Sequence, residues 1–236
     1  MSEFIAGVQE RLNDVRLALS QARSLEKEVQ LLAVSKTFPA EAVLAAAQCG
    51  QQLFGENYAQ EGCEKVDWFR TNHPELNLTW HFIGPVQANK TRMIAEHFDW
   101  VESLNREKIA RRLNDQRPPE LGPLNVLIEV NIDQEESKSG VKPQEVADFA
   151  ETIMALPRLR LRGLMAIPAP ASSHDDKLKP LLKMRALYDS LSQRFGFDTL
   201  SMGMSADMIE AAEAGSTLVR VGTAIFGHRD YSKKNL

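Results

Sequence analysis

Eight short runs rich in β-branched and other apolar residues recur along the chain, and a segment with helical character follows each. The runs are 31–35, 52–56, 80–83, 100–103, 125–131, 160–166, 199–202 and 217–222. Several are continuously apolar rather than alternating, as expected of parallel strands covered by helices. Helical stripes fill the gaps, with Val146, Phe149, Ala150, Ile153 and Met154 on one face and Leu181, Met184, Tyr188 and Leu191 on another. Pro39 and Pro143 stand where a first helical turn tolerates proline.

Eight β–α units in 236 residues predict a single (β/α)8 TIM barrel, which usually takes about 250 residues. The rival, an open doubly wound sheet, calls for GxGxxG after the first strand, and the sequence there is VSKTFPAE. An extra N-terminal helix, with Ile5, Val8, Leu12, Val15 and Leu19 on one face, either caps the barrel floor or packs on its side. No linker interrupts the chain, so residues 1–236 read as one domain, with Ala169–Asp176 as a mobile connection after the sixth strand.

Composition narrows the class. A net charge of −4 without long runs of one sign argues against nucleic acid or an anionic membrane surface as partner. The two cysteines, Cys49 and Cys63, make no framework or CxxC, which fits a reducing compartment. No signal peptide or apolar span is legible. A cytoplasmic monomer is therefore expected, with no exposed apolar stripe left over. The five histidines lack metal-ligand spacing, and His81, within a strand, reads as a hydrogen-bonded core residue.

Barrel active sites lie at the C-terminal strand ends, and the loops after strands 7 and 8 often bind phosphate. Lys36 directly follows strand 1, where partial desolvation leaves an amine able to attack a carbonyl; position alone favours a surface lysine. Asn57, after strand 2, is placed to meet a ring substituent or, with Gln60, to form a helix-capping box. Lys138, in the loop after strand 5, is a second amine or a solvated lysine. Ser201, Gly203 and Ser205 (the expected N-cap of a helix over 206–214) join Gly222 and Thr223 as the parts of an anion cradle. Arg220, inside an apolar strand, needs a partner, and Glu56 and Glu129 are the candidates. An amine and a phosphate cradle together suggest pyridoxal phosphate or the sugar phosphate of a Schiff-base aldolase.

The segments LLAVSKTFP, FGENYAQE, WHFIGPVQANK, NIDQEESKSG, LRGLMAIP, SMGMSADM and VRVGTAIFG, in this order along nearly the whole chain, resemble the pyridoxal phosphate homeostasis protein family. The resemblance implies a barrel of the alanine racemase N-terminal-domain type, with pyridoxal 5′-phosphate held as a Schiff base on Lys36. It further implies phosphate contacts from Ser201, Gly222 and Thr223, and Arg220 facing the pyridine nitrogen. A cationic partner keeps that nitrogen unprotonated and weakens the cofactor as an electron sink. Phe38 departs from the family pattern, standing where many relatives carry a second lysine.

The expected role is a carrier or regulator of the cofactor, involved in vitamin B6 and amino-acid balance, with little catalysis of its own. PLP-dependent apoenzymes are the expected acceptors, and Lys138, Lys233 and Lys234 possible helpers in exchange. Few residues follow strand 8, so the opposing acid/base residue of a racemase is not expected. The alternatives are a PLP-dependent racemase or lyase using Lys36 as base, or a class I aldolase.

Overall fold

A computed structural model describes residues 2–22, 29–135 and 137–227, the side chains of residues 2–5 excepted. Eight parallel strands close into a barrel in sequence order, with β1 paired to β8. They are β1 (Gln30–Val34), β2 (Leu53–Glu56), β3 (Thr79–Phe82), β4 (Trp100–Leu104), β5 (Leu124–Val130), β6 (Leu159–Ala166), β7 (Thr199–Ser201) and β8 (Leu218–Val221). Every predicted strand is present, with its ends shifted by no more than one residue.

The eight helices that follow the strands are α2 (Ala40–Gln48), α3 (Ala59–Asn72), α4 (Thr91–His97), α5 (Glu107–Gln116), α6 (Val146–Met154), α7 (His174–Phe195), α8 (Met208–Glu213) and α9 (Thr223–Phe226). The extra helix, α1 (Ser2–Gln21), packs against α2 and α9. It therefore covers the side of the barrel where the first and last units meet. Val8, Leu12, Val15 and Leu19 are buried as expected, and Ile5 has its side chain outside the described residues. Arg11 Nε donates to Ile225 O at 2.7 Å, tying α1 to the helix after β8.

Strand parity separates two interiors. Leu31, Ala33, Phe54, Trp80, Phe82, Val101, Leu200, Val219 and Val221 join the apolar layer between barrel and helices. Leu32, Leu127, Met165 and Leu218 are equally buried but belong to the lumen. Gly55 also faces the lumen, because a Cβ there would lie 3.1 Å from Leu32 Cδ2 and 3.2 Å from Ile83 Cδ1. The alternation then puts His81, Glu102, Ser201 and Arg220 in the lumen among apolar side chains. Residue 163 must be glycine: its φ is 153° and a Cβ would meet Thr199 O at 1.8 Å.

Three local expectations are corrected. The connection after β6 is shorter than 169–176, because Ser173 caps α7 by accepting from Asp176 N and the helix starts at His174. The helix after β7 starts at Met208, not 206, with Asp207 rather than Ser205 at its N-cap. Met154, assigned to the buried stripe of α6, is 58% exposed, since it is the last helical residue and the chain turns away there.

Candidate functional site

Lys36 follows the end of the first ladder. Ser35 N still donates to Gly55 O at 3.0 Å, so Lys36 is the first residue beyond it, half-buried, on the lumen parity of Leu32 and Val34. On the neighbouring strand, Arg220 pairs in register with Leu32. Lys36 is four residues further along, about 13 Å at the usual strand rise. The two cationic side chains thus share one mouth at different depths.

Arg220 is 4% exposed. Its Nη1 donates to Ser201 Oγ at 2.7 Å and its Nη2 to Ala166 O at 2.9 Å. Ser201 Oγ in turn donates to Glu102 Oε2 at 2.6 Å, and His81 Nδ1 stands 2.6 Å from Glu102 Oε1. The His81 ring stacks on Trp100, centroids 4.9 Å apart. A buried polar line therefore crosses the lumen from β3 through β4 and β7 to β8. Burial alone would raise the Glu102 carboxyl, but the His81 bond, the charges of His81 and Arg220 and the Ser201 bond hold it below its ordinary value.

This arrangement revises the expected partners. Glu56 has outward parity and binds Lys65 of α3 at 2.7 Å, so it cannot serve Arg220. Glu129 accepts from Asn105 at 2.7 Å and acts on Arg220 through charge alone. Burial raises the Glu129 carboxyl, with Asn105 and Arg220 opposing. The Ser201 hydroxyl, expected at a phosphate, is fully buried and engaged between Glu102 and Arg220.

The loop after β7 is tied to β8 at Arg220 N, which donates to Gly203 O at 2.9 Å. Gly203 has φ 94°, and a Cβ there would lie 2.3 Å from Ala211 Cβ, so this turn requires glycine. Gly222 is buried and Thr223 exposed beside it. The first intrahelical bonds of α9 run from Ile225 N and Phe226 N to Gly222 O.

Asn57 forms no capping box, since α3 starts at Ala59 and its N-cap is Tyr58. Asn57 Oδ1, Thr37 Oγ1 and His81 Nε2 are instead buried without a hydrogen-bond partner among the described residues. Gly84 crosses against Asn57, where a Cβ would lie 2.1 Å from Asn57 O. Lys138 is a partly exposed loop lysine that pairs with Asp133 at 2.6 Å and Glu135 at 3.2 Å. Slight burial would lower its amine, but those two carboxylates raise it above its ordinary value. Lys233 and Lys234 lie outside the described residues. Sequence reasoning missed Glu102 and Lys65; a carboxylate inside the apolar run WVESL was the available signal for the first.

The family model described as alanine racemase, N-terminal domain, matches residues 12–230, which is the class of barrel that this fold and mouth define. The pyridoxal phosphate homeostasis protein of Vibrio alginolyticus is 54% identical over 98% of this chain and 100% of its own. Its counterpart in Escherichia coli K12 is 50% identical over 99% of this chain and 100% of its own. The chain belongs to the pyridoxal phosphate homeostasis protein family. Among solved structures, PipY of Synechococcus elongatus PCC7942 with PLP bound is 31% identical, with a TM-score of 0.78 over 93% of this chain and 100% of that one. Alanine racemase of Clostridium difficile, 16% identical with a TM-score of 0.72 over 95% of this chain and 57% of its own, shares the fold alone.

Proposed function

We propose that this protein binds pyridoxal 5′-phosphate through Lys36 and serves the intracellular homeostasis of that cofactor. The observation that carries the reading is the shared mouth of Lys36 and Arg220 on adjacent strands, with Gly222 and Thr223 closing the strand that bears Arg220. Buried polar atoms of Asn57 and His81 without a partner among the described residues fit a polar aromatic ligand, because such atoms cost about 1–3 kcal/mol each when unsatisfied. The PLP-bound relative, alike across nearly the whole chain, supports the same assignment.

When bound, the cofactor supplies an aldehyde that exchanges between amines. Lys36, half-buried at the mouth, is the residue whose amine would hold that aldehyde. Gly222 and Thr223 would hold its phosphate through backbone amides and a hydroxyl. Asn57 would meet a ring substituent, and Arg220, held by Ser201 and Ala166, would face the ring nitrogen. Ser201 contributes by fixing Arg220, since its hydroxyl is already engaged. A permanent cation at that nitrogen opposes its protonation, which disfavours carbanion chemistry and suits storage.

Acceptors of the stored cofactor are PLP-dependent apoenzymes. Tyr58, Ile167 and Met204, exposed at the ends of β2, β6 and β7, give the mouth an apolar rim suited to such encounters. The visible spectrum of the purified protein tests the reading. A cofactor band in wild type that disappears in Lys36→Ala supports it, whereas identical spectra contradict it. Sustained α-proton exchange on amino acids at enzyme-like rates would replace homeostasis with racemase or lyase activity.

A further inference from the structure

Lys65, on the outer side of the barrel, is 5% exposed and lies away from the lumen line of His81, Glu102, Ser201 and Arg220. Its Nζ donates to Ser35 O at 2.8 Å, Glu56 Oε1 at 2.7 Å and Glu61 Oε1 at 2.8 Å. The same two carboxylates reach back to β1. Glu56 Oε1 accepts from Ser35 Oγ at 2.6 Å, and Glu61 Oε1 accepts from Thr37 N at 2.5 Å. Every branch of this network therefore ends on Ser35 or Thr37, the residues on either side of Lys36.

Thr37 needs such restraint. Its φ of 69° lies in the left-handed region, where a β-branched residue is an outlier held only by its surroundings. Among the described residues, the outer side of the 37–40 turn borders a cavity of about 480 Å³ that Phe38, Glu61, Lys65 and Trp68 help to line. Phe38 holds the turn against Phe226, ring centroids 5.2 Å apart, while on the cavity side Thr37 is held by the Glu61 bond.

We propose that Lys65, acting through Glu56 and Glu61, is the positioning residue for Lys36. It fixes the backbone at Ser35 and Thr37 and thereby the point from which Lys36 Nζ reaches the aldehyde. This inference rests on the proposed function.

The test compares two ligands on the full-length protein stripped of cofactor. Pyridoxal 5′-phosphate reports linkage to Lys36 by the rate of its absorbance change. Pyridoxine 5′-phosphate, an alcohol that cannot link, reports the ring and phosphate contacts alone. Glu61 has a side chain 31% exposed, so the fold tolerates Glu61→Ala. Loading should slow about tenfold or more, because misplacement by about 1 Å can cost 10²-fold. Pyridoxine 5′-phosphate affinity should hold within about twofold, and Glu61→Gln, which keeps the acceptor for Thr37 N, should restore most of the rate. The double variant Lys65→Met/Glu56→Gln, which leaves no uncompensated buried charge, should slow loading likewise. Wild-type loading rates in Glu61→Ala, or a proportional loss of pyridoxine 5′-phosphate affinity, would overturn the assignment. A wild-type protein with no borohydride-stable link at Lys36 would overturn the proposed function and this inference with it.

Discussion

Arg220 keeps its place through a line of hydrogen bonds rather than a direct ion pair, and Glu102 is the charged member of that line. Its carboxyl is held below the ordinary value of 4.5 in the folded state. A depressed carboxylate contributes stability above its unfolded pKa and loses it as pH falls through the folded one. Glu102→Gln should therefore destabilise the protein by on the order of 3 kcal/mol near neutrality. The gap should close as pH falls below 4.5, measured as urea unfolding of both proteins across pH 3–7. A gap independent of pH would show that Glu102 acts by shape alone. Arg220 was legible as a buried cation needing a partner, but the partner was not. Glu56 and Glu102 both sit in strands buried on both faces, where apolar character no longer alternates and inward cannot be told from outward. Lys65 was hidden for a different reason: within QEGCEKVDW it reads as an ordinary solvated helix lysine.

The strand ends, as elements, hold the mouth together by close backbone contact. Asn57 O, Gly84 and Ser103 stack across β2, β3 and β4: a Cβ on Gly84 would lie 2.1 Å from Asn57 O, and Ser103 Oγ donates to Gly84 O at 2.5 Å. Gly84→Ala should cost about 1–3 kcal/mol in unfolding free energy. It should also weaken retention of the cofactor, read by dialysis and visible absorbance, because Asn57 must move. Unchanged stability and retention would mean that the β2 and β3 ends yield freely. Strand positions were legible to within a residue because each run is bounded by turn residues and a helical stripe. Helix starts were less so. The turn at 205–207 delays α8 because Asp207 Oδ1 accepts from Met204 N at 2.7 Å, a side-chain choice no periodicity reports.

At the scale of the whole molecule, eight units close in sequence order and α1 covers the seam between the first and last. Among the described residues, the large exposed apolar side chains away from the mouth are Leu17, Leu121, Met154 and Leu182, each on a different segment. We therefore expect a monomer, and sedimentation equilibrium should return the mass of one chain at micromolar concentration; a dimer mass would place a partner surface on this barrel. The fold was legible from the count and spacing of β–α units alone. The site needed closure as well, since only the pairing of β1 with β8 brings Lys36 and Arg220, 184 positions apart in sequence, to one mouth. The most direct test of the central claim is borohydride reduction of the protein loaded with pyridoxal 5′-phosphate, followed by peptide mass mapping. A reduced cofactor adduct confined to Lys36 is the predicted result. An adduct on other lysines, or none, would contradict it.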